Sequence, residues 1–145
     1  MNDPSDLNGL AHFCEHMLFL GTEKFPKENY YSEFIKKHGG AKNAATAEDY
    51  TNYYFDIKNE NFEEALDIFS QFFKQPLFTE SATDREMNAV DSEFKRNLSN
   101  EARRWIQIQK TELARKESAL NRFSTGNLVS LQKPETRDLL LKYHQ

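Results

Sequence analysis

The run from Leu10 to Leu20, LAHFCEHMLFL, sets His12, Glu15 and His16 inside an otherwise mostly apolar stretch closed by Gly21. Such a pattern predicts a core helix that stops at the glycine. Residues four apart on a helix differ by only about 40° around its axis, so His12 and His16 project from one face, one turn apart. Glu15 falls within the same arc of ~100°. Sinking two imidazoles and a carboxylate into apolar surroundings is costly unless they coordinate something. Two imidazoles in this arrangement can reach one ion at about 2.1 Å, and zinc suits them, because it takes His and carboxylate ligands tetrahedrally and keeps a position open for water. Glu15 is adjacent to His16 in sequence but angled away from it, in place to take a proton from that water. A purely structural zinc site fits less well, since such sites close with four protein ligands and favour Cys.

A third ligand must come from another element. Thr83-x-x-Glu86 reads as a capping box. It opens a helix that carries Met87, Val90 and Phe94 to about Leu98. Glu86 and Glu93 share one face of that helix, two turns apart. Either reaches the metal, but not both in one rigid pose.

The remaining pattern is helix-rich. Asn8-Gly9 is a turn ahead of the first helix, and Thr22 to Asn29 is a loop. Tyr31, Phe34 and Ile35 lie at helical spacing within Tyr30 to His38, ended by Gly39-Gly40. Lys42 to Thr46 is a weak strand candidate and Thr51 to Ile57 a stronger one, rich in aromatic and β-branched residues. Asn59 or Asn61 caps a helix to about Lys74, with Phe62, Leu66, Phe69 and Phe73 on the helical period and Pro76 beyond it. Asn100 caps a further helix carrying Trp105, Ile108 and Leu113. Ser124 to Asn127 is a turn, and Thr136 to His144 begins a last helix. The fold class is α+β with helices dominant.

The 145 residues suffice for one domain with one core, and twelve Phe and six Tyr provide the apolar area. The net charge of -4, with both signs mixed along the chain, gives no electrostatic reason to bind nucleic acid or anionic lipid. The longest apolar run is far too short to span a bilayer. Cys14 stands alone, which excludes an internal disulfide and fits a reducing compartment. The expectation is a soluble cytoplasmic protein, with mitochondrion and peroxisome left open.

H-x-x-E-H is the inverted zinc motif of the inverzincins. The stretches GLAHFCEHMLFLGTEKFPKENYYSEF, NAATAEDYTNYYFDI, ALDIFSQFFKQPLF, DREMNAVDSEFKRN and FSTGN resemble the active-site domain of the insulysin branch of the pitrilysin family. The likeness runs from about Gly9 to Tyr143 and is weakest between Ala102 and Asn121. The resemblance implies helices packed on a mostly antiparallel sheet, with residues 1–145 a single partial catalytic domain. The family's opening strands and its C-terminal half lie outside the chain. It implies His12, His16 and Glu93 as zinc ligands, Glu15 as general base, and Glu86 as a carboxylate orienting a ligand His. Asn43 and Ala44 match the edge strand that pairs with the backbone of a bound peptide. Cys14 matches the branch and implies sensitivity to thiol reagents; a small buried hydrophobe is the competing reading.

The implied function is a zinc metalloendopeptidase acting on short or unfolded peptides. The alternative is a weak or inactive truncated paralogue that binds zinc and peptide or a partner half. Peptides, a missing C-terminal half and a second copy of the chain are the partners in view; nucleic acid and membrane are not.

Overall fold

In the computed structural model, which describes residues 3–4, 7–118 and 120–145, the chain is organised around helix α1 (Leu10–Met17). Leu10, Ala11, Phe13, Cys14 and Met17 of this helix are buried, so it runs through the core. Its N-terminal N–H groups are met by an acidic side chain from ahead of the Asn8-Gly9 turn. The buried Asp3 carboxylate accepts from the Gly9 N–H at 2.8 Å and the Ala11 N–H at 2.9 Å. A carboxylate on these free N–H groups is also favoured by the helix dipole. The helix ends at Met17 rather than Leu20, and Leu18 to Leu20 turn away through successive carbonyl contacts to Cys14, His16 and Met17.

Helix α2 (Tyr30–Lys37) follows the loop and buries Tyr31, Phe34 and Ile35, as their spacing predicts. Strands β1 (Ala41–Thr46) and β2 (Thr51–Asp56) form an antiparallel hairpin in which Ala44 lies opposite Tyr53 and Thr46 opposite Thr51. Alternation turns Lys42, Ala44 and Thr46 inward with Thr51, Tyr53 and Phe55, and turns Asn43 and Tyr54 outward. Among the described residues the sheet has two strands, so the edge of β1 away from β2 is open.

Helix α3 (Phe62–Ser70) is shorter than its period suggested and passes into a 3-10 turn at Gln71–Phe73. The buried face of the helix and this turn is Ala65, Ile68 and Phe72, whereas Phe62, Leu66 and Phe73 stay about half exposed. The reason is the hairpin. Phe62 stacks on Phe55 at 6.0 Å and Phe73 meets Tyr53 edge-on at 5.5 Å, so these rings cover the sheet rather than enter the centre.

Helix α4 (Glu80–Asn97) is the longest, and it begins one turn earlier than the expected capping box. Thr79 caps it, its hydroxyl oxygen accepting from the Ala82 N–H at 3.3 Å. Thr83 is buried inside the first turn and donates back to the Thr79 carbonyl at 2.8 Å, so it cannot serve as a cap. Helix α5 (Glu101–Ile108) is capped by Asn100 as expected, but it gives way to a π-helical turn at Gln109–Leu113. That change of period takes Leu113 off the line of Trp105 and Ile108, and all three are exposed. Helices α6 (Leu128–Leu131) and α7 (Thr136–His144) close the chain. The core joins Leu7, Phe13, Ile35, Ile68, Phe72, Phe78, Val90, Leu131 and Leu140, with α1 packed against α4, the hairpin and α7. This is the expected α+β arrangement.

Candidate metal centre

Helices α1 and α4 pack together, and His12 and His16 of one meet Glu86 and Glu93 of the other. The His12 and His16 rings stand edge to face with centroids 4.7 Å apart. Their Nε2 atoms lie 3.7 and 3.6 Å from the same oxygen, Glu93 Oε2. Donor atoms of these three side chains lie within 4.8 Å of one another, and among the described residues no other His, Cys, Asp or Glu set of this kind occurs. Two ligands held tetrahedrally on zinc at about 2.0–2.1 Å are themselves roughly 3.4 Å apart, so the observed spacing suits one ion.

The other ring nitrogens fix the direction of the donors. His12 Nδ1–H donates to the Thr125 carbonyl at 2.6 Å, and a carbonyl can only accept. His16 Nδ1–H donates to Glu86 Oε1 at 2.7 Å. With protons on both Nδ1 atoms, both Nε2 atoms face the space beside Glu93, and once His16 gives up its second proton each presents a lone pair there. The seven-residue spacing of Glu86 and Glu93 thus places one carboxylate behind His16 and the other in front of it. Thr125 reaches His12 because Gly126 packs against Gly9; a Cβ on Gly9 would come within 2.3 Å of Gly126 Cα. Both glycines have positive φ, 91° and 81°, which other residues rarely adopt.

Electrostatics match a cation site. Burial works against a charged His16, yet the hydrogen bonds and charges of Glu86 and Glu93 outweigh it and raise its pKa to about 9. The contact with His16 lowers the Glu93 pKa to about 2, against the opposing effect of burial. Without a metal, a proton on His16 occupies the place between carboxylates that a cation would take.

Glu15 stands apart from the three converging donors. It is 9% exposed, and its Oε2 accepts from the Thr46 hydroxyl at 2.5 Å. Thr51 Oγ1 lies 3.1 Å from Thr46 Oγ1 and can donate to it, so the hairpin holds the carboxylate. A cavity of about 320 Å³ joins these parts; its lining includes the three donors, Glu15, Ala44, Thr46 and Arg103. A larger space of about 640 Å³, against Cys14, Tyr53 and Tyr143, includes none of the three. Cys14 is buried, and burial pushes its thiol pKa up to about 12, so the reactive thiolate is scarce at neutral pH. This favours the small buried hydrophobe over a reactive thiol. Of the two β1 residues singled out, Ala44 lines the cavity, while Asn43 is outward and its Nδ2 lies 3.4 Å from the Tyr54 hydroxyl.

Thr46, the Thr125 carbonyl and Arg103 were not singled out from sequence. The turn expected at Ser124 to Asn127 is present, and the Gly9–Gly126 contact shows what it delivers.

A family profile described as insulinase, peptidase family M16, matches residues 1–118. The chain belongs to this family. Human insulin-degrading enzyme is 49% identical over 150 residues, covering 99% of this chain and 15% of that protein. The A-factor-processing enzyme of Saccharomyces cerevisiae is 48% identical over 149 residues, covering 99% of this chain and 14% of its own. The crystal structure of pitrilysin superposes with a TM-score of 0.90 at 31% identity, over 99% of this chain and 16% of that one. The chain therefore spans about 15% of the length of the human relative. Among the described residues no helix is long and apolar enough to cross a membrane.

Proposed function

We propose that residues 1–145 form part of the catalytic domain of a zinc-dependent endopeptidase that cuts short or unfolded peptides. The observation that carries this reading is the convergence of two Nε2 atoms and the Glu93 carboxylate, with a separately held carboxylate beside them. His12, His16 and Glu93 hold the ion, and Glu86 and the Thr125 carbonyl keep the imidazoles aimed. When bound, zinc acts as a Lewis acid that polarises a carbonyl and brings the pKa of a water to about 7. Glu15 accepts the proton of the attacking water and passes it to the departing amine. The open edge of β1 at Asn43 and Ala44 pairs with the peptide backbone, which gives affinity without reading side chains. A single buried thiol suits the cytoplasm as the compartment.

The competing reading is a chain that binds zinc and peptide, or a partner half or second copy, with little turnover. Cleavage of an internally quenched peptide by the zinc-loaded chain, abolished by chelator and restored by zinc, is the outcome expected of the peptidase. Peptide binding without turnover is the outcome expected of the alternative.

Zinc affinity should also depend on pH. His16 must lose a proton to bind the ion, and in the metal-free chain that proton leaves only near pH 9. Below that pH each zinc displaces it, so apparent affinity rises with pH, by about tenfold per unit for one proton. Competition titrations at pH 6.5 and 8.0 that return the same Kd would contradict this arrangement.

A further inference from the structure

The cavity that holds the three converging donors contains two carboxylates, and both are engaged. Glu93 faces the imidazoles, and Glu15 accepts from Thr46. Of the described residues that line this cavity, Arg103 is the only lysine or arginine. It comes from α5, on the side of the cavity supplied by neither α1 nor the hairpin. Its backbone position is fixed, because the Asn100 side chain accepts from the Arg103 N–H at 3.1 Å and caps the helix there. Arg103 is exposed, and among the described residues its side chain makes no ion pair and no hydrogen bond. Nor does Arg103 serve its own helix. It lies in the first turn, where the helix dipole favours anions and disfavours a cation. A free guanidinium with five donors in a planar fork, next to a site for peptide backbone, is suited to receiving a carboxylate.

We propose that Arg103 is a specificity-determining residue that receives a carboxylate of the bound peptide close to the scissile bond. The carboxylate is an Asp or Glu side chain or the free C-terminus of a short peptide. The inference rests on the peptidase reading. A partly exposed ion pair of this kind is modest, so the expected preference is roughly two- to fivefold in Kd.

Binding is measured by fluorescence anisotropy with the zinc-loaded Glu15→Gln chain, which holds peptides without cutting them. The probes are labelled decapeptides in which one Glu is moved along a neutral sequence, each paired with its Gln counterpart, and each made as free acid and as C-terminal amide. One register is expected to favour Glu over Gln; a preference for acid over amide alone assigns the contact to the chain terminus. Arg103→Gln is expected to erase the preference, Arg103→Lys to keep part of it, and Arg103→Glu to turn it towards Lys at the same register. Zinc content is expected to stay constant across the set. Equal binding of all Glu and Gln pairs and of acid and amide, or a preference that survives Arg103→Gln, overturns the assignment and leaves the peptidase reading standing. Failure of every peptide to bind the zinc-loaded chain overturns both.

Discussion

Replacing Glu15 by Gln is expected to leave zinc bound and to lower peptide hydrolysis by roughly 100- to 10,000-fold. The geometry separates the two readouts. Glu15 is absent from the set of donors that face one another, so its loss removes no ligand. Gln has the same shape and keeps a carbonyl oxygen that can accept from Thr46, which now touches Glu15 Oε2 at 2.5 Å. The amide cannot take a proton from water at any working pH, so the chemical step alone is lost. The measurement pairs zinc content by atomic emission with kcat on an internally quenched peptide. A variant that holds its zinc and still turns over at more than a tenth of the parent rate would remove Glu15 from the role of base. Loss of zinc along with activity would instead place Glu15 among the ligands.

How much of this was legible in the sequence depends on the range of the interaction. His12 and His16 at a one-turn spacing, and Glu86 and Glu93 at a two-turn spacing, are facts of helical geometry, so their shared faces could be read before any fold was known. Which glutamate faces the imidazoles could not be read that way. It depends on how α4 crosses α1, and the crossing is set by buried side chains such as Phe13, Met87 and Val90. The expected start of α4 at Thr83 failed for a related reason. A local capping pattern was present, but Thr83 is buried and Thr79 was free to cap a turn earlier. Periodicity also overstated the core faces of α3 and α5. Phe62 and Phe73 follow the helical period, yet their rings are used against the hairpin. Asp3 lay in an unpatterned stretch, and its role at the start of α1 is carried by two hydrogen bonds that no motif announces.

The two glutamates of α4 offer the sharpest test of the metal assignment, because they are the same residue type on one helix face with similar exposure. Side-chain accessibility is 21% for Glu86 and 27% for Glu93. Glu93→Ala removes one of three converging donors, and two imidazoles remain to hold the ion. Glu86→Ala removes only the acceptor behind His16 Nδ1, which sits 2.7 Å away. The ring then loses its fixed tautomer and orientation but keeps its lone pair, a change that typically costs roughly 10- to 100-fold in metal affinity. Glu93→Ala is therefore expected to weaken zinc binding well beyond that range. Chelator competition at fixed pH, on both variants and the parent chain, measures the ordering. His16 supplies an independent check on the same samples. Without Glu86 its main supporting hydrogen bond is gone, so its pKa in the metal-free chain should fall from about 9 towards the ordinary value. In the Glu93→Ala chain the Glu86 contact remains, and the fall should be smaller. If both variants bound zinc like the parent, or if Glu86→Ala proved the more damaging, the ion would have to lie elsewhere, and the assigned chemistry would lose the centre on which Glu15 is meant to act.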